Sequence, residues 1–140
     1  MMTRITPALS TRILAQVKKG NLSPLDYESL FRTGLRRGIL RVNDLLQACY
    51  GYERGVAARM ELIEQGNPGI SSRSELADAQ TFLKAYRVSE DRLPEVSYLP
   101  GALRASAALR YHHLHDELDR ICDYRRGLLS HLAPFKGTLV

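Results

Sequence analysis

The stretch PGALRASAALRYHHLHDELDRICDYRRGLLSHL, Pro100 to Leu132, decides the fold. Its apolar residues Ala107, Tyr111, Leu114, Leu118 and Ile121 recur at steps of 4, 3, 4 and 3. Leu128 and Leu132 continue the series, with Arg125 at the intervening position. This is the seam of a heptad repeat, the spacing with which one helix packs along another. It predicts one helix of about 32 residues, about 48 Å long at 1.5 Å per residue. A compact domain of this chain length has a radius of gyration of about 14 Å. The helix is therefore expected to bend, overhang the domain or meet a second chain. Gly127 is a candidate break and Pro134 the expected stop, with residues 134–140 a loose tail or one docked by Phe135.

Working back from this helix, the chain punctuates itself into four more. Leu9, Ile13 and Val17 recur every four residues from Pro7 to Lys19, and Gly20 is the expected stop. Ser23, Pro24 and Asp26 mark the start of a second helix that buries Tyr27, Leu30, Phe31 and Leu35 and ends at Gly38. A third, capped by Asn43, carries Leu45, Cys49, Tyr52, Val56, Met60 and Ile63 on one face. Gly51 and Gly55 lie inside it, each costing about 1 kcal/mol against Ala, which points to a close helix approach or a bend. Gly66-Asn67-Pro68-Gly69 stops it. Ser72 and Glu75 form a capping-box pattern for a fourth helix over 73–86. Residues 88–99 show no sustained period and read as one long connection. The expectation is an all-α single domain over 1–140, a bundle of about five helices with a long C-terminal heptad-patterned helix.

Composition fits that class: 44% of residues are hydrophobic and 25% charged, as in ordinary soluble domains. No apolar run approaches the roughly 18 residues of a membrane span, and Met1 to Pro7 has no signal-like apolar core. The expected location is cytoplasmic. Cys49 and Cys122 lack any CxxC or Cys/His spacing and are expected to be buried reduced thiols. Charge is uneven. Residues 1–41 hold eight basic and two acidic side chains, +6, while the remaining 99 sum to −1.

Three clusters invite a functional reading. The first is His112-His113-Leu114-His115-Asp116-Glu117. The heptad frame places His112, Asp116, Asp119 and Asp123 on the outer face, with His113/Glu117 and His115/Asp119 as i,i+4 pairs. A bundle metal site needs ligands pointing inward from facing helices, and the inward residue of this turn is Leu114. The expectation is a solvated face with no metal. The second cluster is Arg32, Arg36, Arg37 and Arg41, a basic surface available to nucleic acid. The turn between the helices is long for a helix-turn-helix unit, and Asp44 opens the following helix where it would repel phosphate. The third is the heptad seam itself, in which Arg125 must sit near an acid, at a gap or at an interface.

There is no glycine-rich phosphate loop, no GxSxG and no nucleophilic cysteine setting. No family motif emerges from these residues. The expected function is non-enzymatic and needs no cofactor: a protein-binding module (adaptor, inhibitor, chaperone or regulator) acting through helical surfaces. The residues expected to meet the partner are Tyr111, Asp116, Leu118, Asp119, Tyr124 and Arg125. Nucleic-acid binding through the basic N-terminal region is the alternative, and homodimerisation through the long helix a secondary expectation. The +6 segment is a candidate to lie against Asp116, Asp119 and Asp123.

Overall fold

The computed structural model describes the backbone of residues 7–139 and the side chains of residues 8–130. The protein is all-α. Its helices are α1 (Pro7–Lys18), α2 (Glu28–Arg36), α3 (Val42–Gly66), α4 (Arg73–Tyr86) and α5 (Ala102–Leu139), with 3-10 segments at Pro24–Tyr27 and Glu90–Val96. Among the described residues there is no strand, and no helix is long and apolar enough to cross a membrane. The chain divides into two compact units, residues 1–56 with 118–140, and residues 57–117.

In the first unit Ile13, Val17, Phe31, Leu45, Cys49, Tyr52, Val56, Ile121 and Leu128 are buried, the expected apolar faces of their helices. Each large side chain so buried contributes about 1.5–3 kcal/mol. Gly20, at φ +86, turns the chain out of α1, and its N–H donates to the Val17 carbonyl at 2.9 Å. The two glycines of α3 serve close approach. A Cβ at Gly51 would stand 2.5 Å from the Lys18 carbonyl oxygen, and one at Gly55 would stand 3.4 Å from the Gly20 Cα. Glycine is thus required at Gly51 for the end of α1 to lie directly on α3, whereas a methyl at Gly55 would make an ordinary van der Waals contact.

Two expected helix starts differ in detail. Ser23 Oγ accepts from the Leu25 N–H at 3.3 Å, but it caps a 3-10 turn, and α2 begins only at Glu28. The backbone at Tyr27 (φ −117, ψ 19) separates the two segments. In α3 the Leu45 N–H reaches the Arg41 carbonyl, so the helix starts at Val42 and Asn43 lies inside it.

The second unit is built on Ile63, Ile70, Ala79, Leu93, Ala105, Ala107, Ala108 and Leu109, with Leu76, Phe82, Leu83, Tyr111 and Leu114 packed against them. Four alanines there bring the start of α5 close to its neighbours. The aperiodic connection is anchored in the middle, where the 3-10 segment buries Leu93. The capping box at the start of α4 does not form. Ser72 Oγ meets Ser74 Oγ at 3.0 Å, and Glu75 is drawn to Arg104, whose Nη2 and Nε donate to it at 2.6 and 3.1 Å. A guanidinium holding both carboxylate oxygens outcompetes a single backbone N–H.

α5 runs unbroken past Gly127 and beyond the expected stop at Pro134. A proline removes one intrahelical donor and crowds the preceding turn, which a long helix can absorb as a bend. Phe135, with the side chains of residues 131–140, lies outside the described residues.

Candidate functional site

Within the first unit, the Glu53 carboxylate ties α3 to α5. Arg125 Nε donates to Glu53 Oε2 at 2.8 Å, and Cys122 Sγ donates to Glu53 Oε1 at 3.1 Å. The guanidinium also lies over the Tyr50 ring, 4.8 Å from its centroid. Only 20% of the Arg125 side chain and 13% of the Glu53 side chain are exposed. The seam arginine has therefore found an acid, the first of the three outcomes expected for it. Its hydrogen bond to Glu53 makes the guanidinium a still weaker acid than usual. Glu53 was not singled out by sequence reasoning. The available signal was an acid one turn after Cys49 and beside Tyr52, at the edge of the apolar face of α3.

Burial, then the charge of Glu53, pushes the Cys49 thiol up to about 12, against the opposing pull of Arg125. Burial and the contact with Glu53 also raise Cys122. Both cysteines are free thiols. Both shifts weaken the thiol as an acid, opposite to the lowered pKa of a nucleophilic cysteine.

One turn along, the same unit forms a groove of about 330 Å³ between α2 and α5, lined by Glu28, Arg32, Leu35, Tyr124, Gly127, Leu128 and Ser130. The α2 residues stand at i, i+4 and i+7, so helical spacing puts them along one stripe. Tyr124, Gly127 and Leu128 do the same on α5. Leu128 is buried and forms the floor with half-buried Leu35 and Tyr124. Gly127 opens the wall, since a Cβ there would meet nothing within 4 Å. Burial first, then neighbouring Cys49 and Glu28, raises the Tyr124 phenol, while Arg32 acts in the opposite direction. The ring is thus a neutral amphipathic surface. Arg32 Nη2 donates to Glu28 Oε1 at 3.0 Å across one helical turn.

The residues expected to meet a partner fall in different places. Tyr124 lines the groove, and Arg125 is held by Glu53. Leu118 is half-buried, while Asp116 and Asp119 are exposed. Tyr111 and Asp116 line a separate hollow of the second unit with Arg73, Gln80, His112 and His115. Asp123, exposed, pairs with Arg126 at 3.3 Å. Of the basic residues, Arg32 pairs with Glu28, whereas Arg36, Arg37 and Arg41 are exposed and have no ion-pair partner among the described residues.

Of the expected outer face, Asp116, Asp119 and Asp123 are exposed and His112 departs. His112 is half-buried, its ring edge-on to Tyr111 at 5.6 Å, and its Nε2 is sealed from solvent without a hydrogen-bond partner. Packing of α4 beside α5 covers that face. His113 reaches Glu90 of the 3-10 segment. Among the described residues no group of three or more His, Cys, Asp or Glu side chains is arranged to hold a metal ion.

Charge divides by structural unit. Described residues 8–56 and 118–130 hold eleven basic and six acidic side chains, +5, while residues 57–117 hold seven basic and nine acidic, −2. Set against known proteins, the chain matches no family model, no curated protein and no solved structure.

Proposed function

We propose that this chain is a small non-enzymatic protein-binding module, an adaptor, inhibitor, chaperone or regulator acting in the cytoplasm through helical surfaces. The groove between α2 and α5 carries the proposal. It offers an apolar floor, an amphipathic tyrosine and flanking arginines, the side chains that dominate interface energetics. The five-helix bundle with a heptad seam belongs to the same proposal. Ala107, Ile121 and Leu128 of that seam are buried and Tyr111, Leu114 and Leu118 only partly so, which supports a seam that serves mainly as core. Homodimerisation through α5 is correspondingly secondary, and a monomer at micromolar concentration by sedimentation would remove it.

The test is affinity capture from native extract with the wild-type chain and Tyr124→Ala, each with and without nuclease. A stoichiometric protein that survives nuclease and is lost with Tyr124→Ala is the expected result. Recovery of nucleic acid alone would overturn the proposal.

A second reading, nucleic-acid binding, is favoured by exposed Arg36, Arg37 and Arg41. It predicts binding that falls steeply with salt and weakens on Arg36→Ala or Arg37→Ala.

A further inference from the structure

We infer that the groove between α2 and α5 receives an acidic amphipathic helix of the partner protein. This deepens the protein-binding reading and rests on it. The occupant follows from shape and charge together. At about 330 Å³ the groove is at the small end for a pocket that encloses a whole ligand. It suits two or three apolar side chains projecting from a longer segment. The walls are two helices and offer no sheet edge, so an extended peptide would have no main-chain partners to add to. The mode that remains is a helix laid in a groove and read through anchors at i, i+3 or i+4, and i+7. Gly127 leaves one wall without a side chain, so a ligand side chain can approach the α5 backbone there.

Charge selects the sign. Glu28 is the acid on this rim, and Arg32 neutralises it at 3.0 Å. Arg36 stands one turn beyond Arg32, exposed, with Arg37 beside it. The described part of this unit carries +5. An incoming helix with carboxylates flanking its apolar stripe gains these arginines, and a basic one is repelled. Nucleic acid fits less well. Its phosphates need a continuous line of cations, and here Arg32 is already paired with Glu28.

A displayed library of helical peptides tests the inference. Each peptide has about 14 residues, four turns, with apolar positions at i, i+4 and i+7 and Asp, Glu, Lys or Arg randomised elsewhere. Selection is on the full chain, followed by rebinding to Gly127→Leu and Arg36→Glu. Gly127→Leu fills the groove at a position with open space and replaces a helix-interior glycine, so it folds at least as well as the parent; thermal melts check this. The expected clones are acidic and bind Gly127→Leu and Arg36→Glu at least about tenfold more weakly, a loss of about 1.4 kcal/mol. No binders, neutral or basic clones, clones indifferent to Gly127→Leu, or displacement by a single-stranded oligonucleotide would each overturn the inference. The protein-binding reading stands or falls separately, because native capture does not depend on the charge of the selected peptides.

Discussion

Breaking the contact between Arg125 and Glu53 should destabilise the first unit by an amount the structure bounds. Arg125→Met leaves the Glu53 carboxylate, 13% exposed, with the weak Cys122 thiol as its visible donor. Removing one member of a fully buried pair costs about 3–5 kcal/mol. Here a fifth of the arginine side chain is exposed, and local relaxation admits water to the carboxylate, so about 2–3 kcal/mol is expected. Glu53→Gln keeps an acceptor for the guanidinium, which retains the Tyr50 ring, and should cost about 1–2 kcal/mol. The double variant Glu53→Leu/Arg125→Met replaces both charges with apolar volume and should lie within about 1 kcal/mol of wild type. Urea unfolding followed by circular dichroism measures all three, since the chain has no Trp to report by fluorescence. With a urea slope of about 2 kcal/mol/M, a loss of about 2 kcal/mol moves the midpoint by about 1 M. If the effects of Glu53→Leu and Arg125→Met alone add in the double variant, with coupling below about 0.5 kcal/mol, the pair does not hold α5 to α3.

Three further outcomes are expected. Gly51→Ala should lower the melting temperature despite better helix propensity, because its Cβ meets backbone at 2.5 and 2.9 Å; Gly127→Ala, in open space, should raise stability by up to about 1 kcal/mol. Equal shifts of one sign in the two melts would contradict the close approach of α1 to α3. Cys49 should resist iodoacetamide at neutral pH until the chain unfolds, since its thiol titrates near 12 and is buried; rapid modification of Cys49 by mass spectrometry in the folded chain would refute this. Arg104, chiefly through its hydrogen bond, holds the Glu75 carboxyl below its ordinary value of 4.5. A depressed folded value means the contact supports folding above that range and is lost as pH falls through the folded value. The difference in urea midpoint between wild type and Glu75→Gln should therefore be largest near neutral pH and shrink below about 4.5; a pH-independent difference would refute the linkage.

What the sequence determined by itself was the helical class and the inward faces. The stripe Leu45, Cys49, Tyr52, Val56, Met60 and Ile63 is buried along its whole length, because a 3.6-residue period and hydrophobicity are local properties of the chain. Gly20 and Gly38 were legible as stops for the same reason, and both take positive φ. Tyr124 was legible as a candidate only by residue type. Tertiary structure alone decided what was paired with what. Glu75 left its capping role for Arg104, 29 residues away, and Glu53 met Arg125 across 72 residues. His112 moved from an outer face to a covered one once α4 packed beside it. Ion pairs and grooves depend on which helix lies opposite, and the periodicity of one helix holds no record of its neighbour. The two walls of the groove between α2 and α5 stand 89 residues apart in sequence at the nearest, Leu35 to Tyr124, and 102 at the farthest, Glu28 to Ser130, so only the packing of those helices brings its apolar floor and Arg32 together.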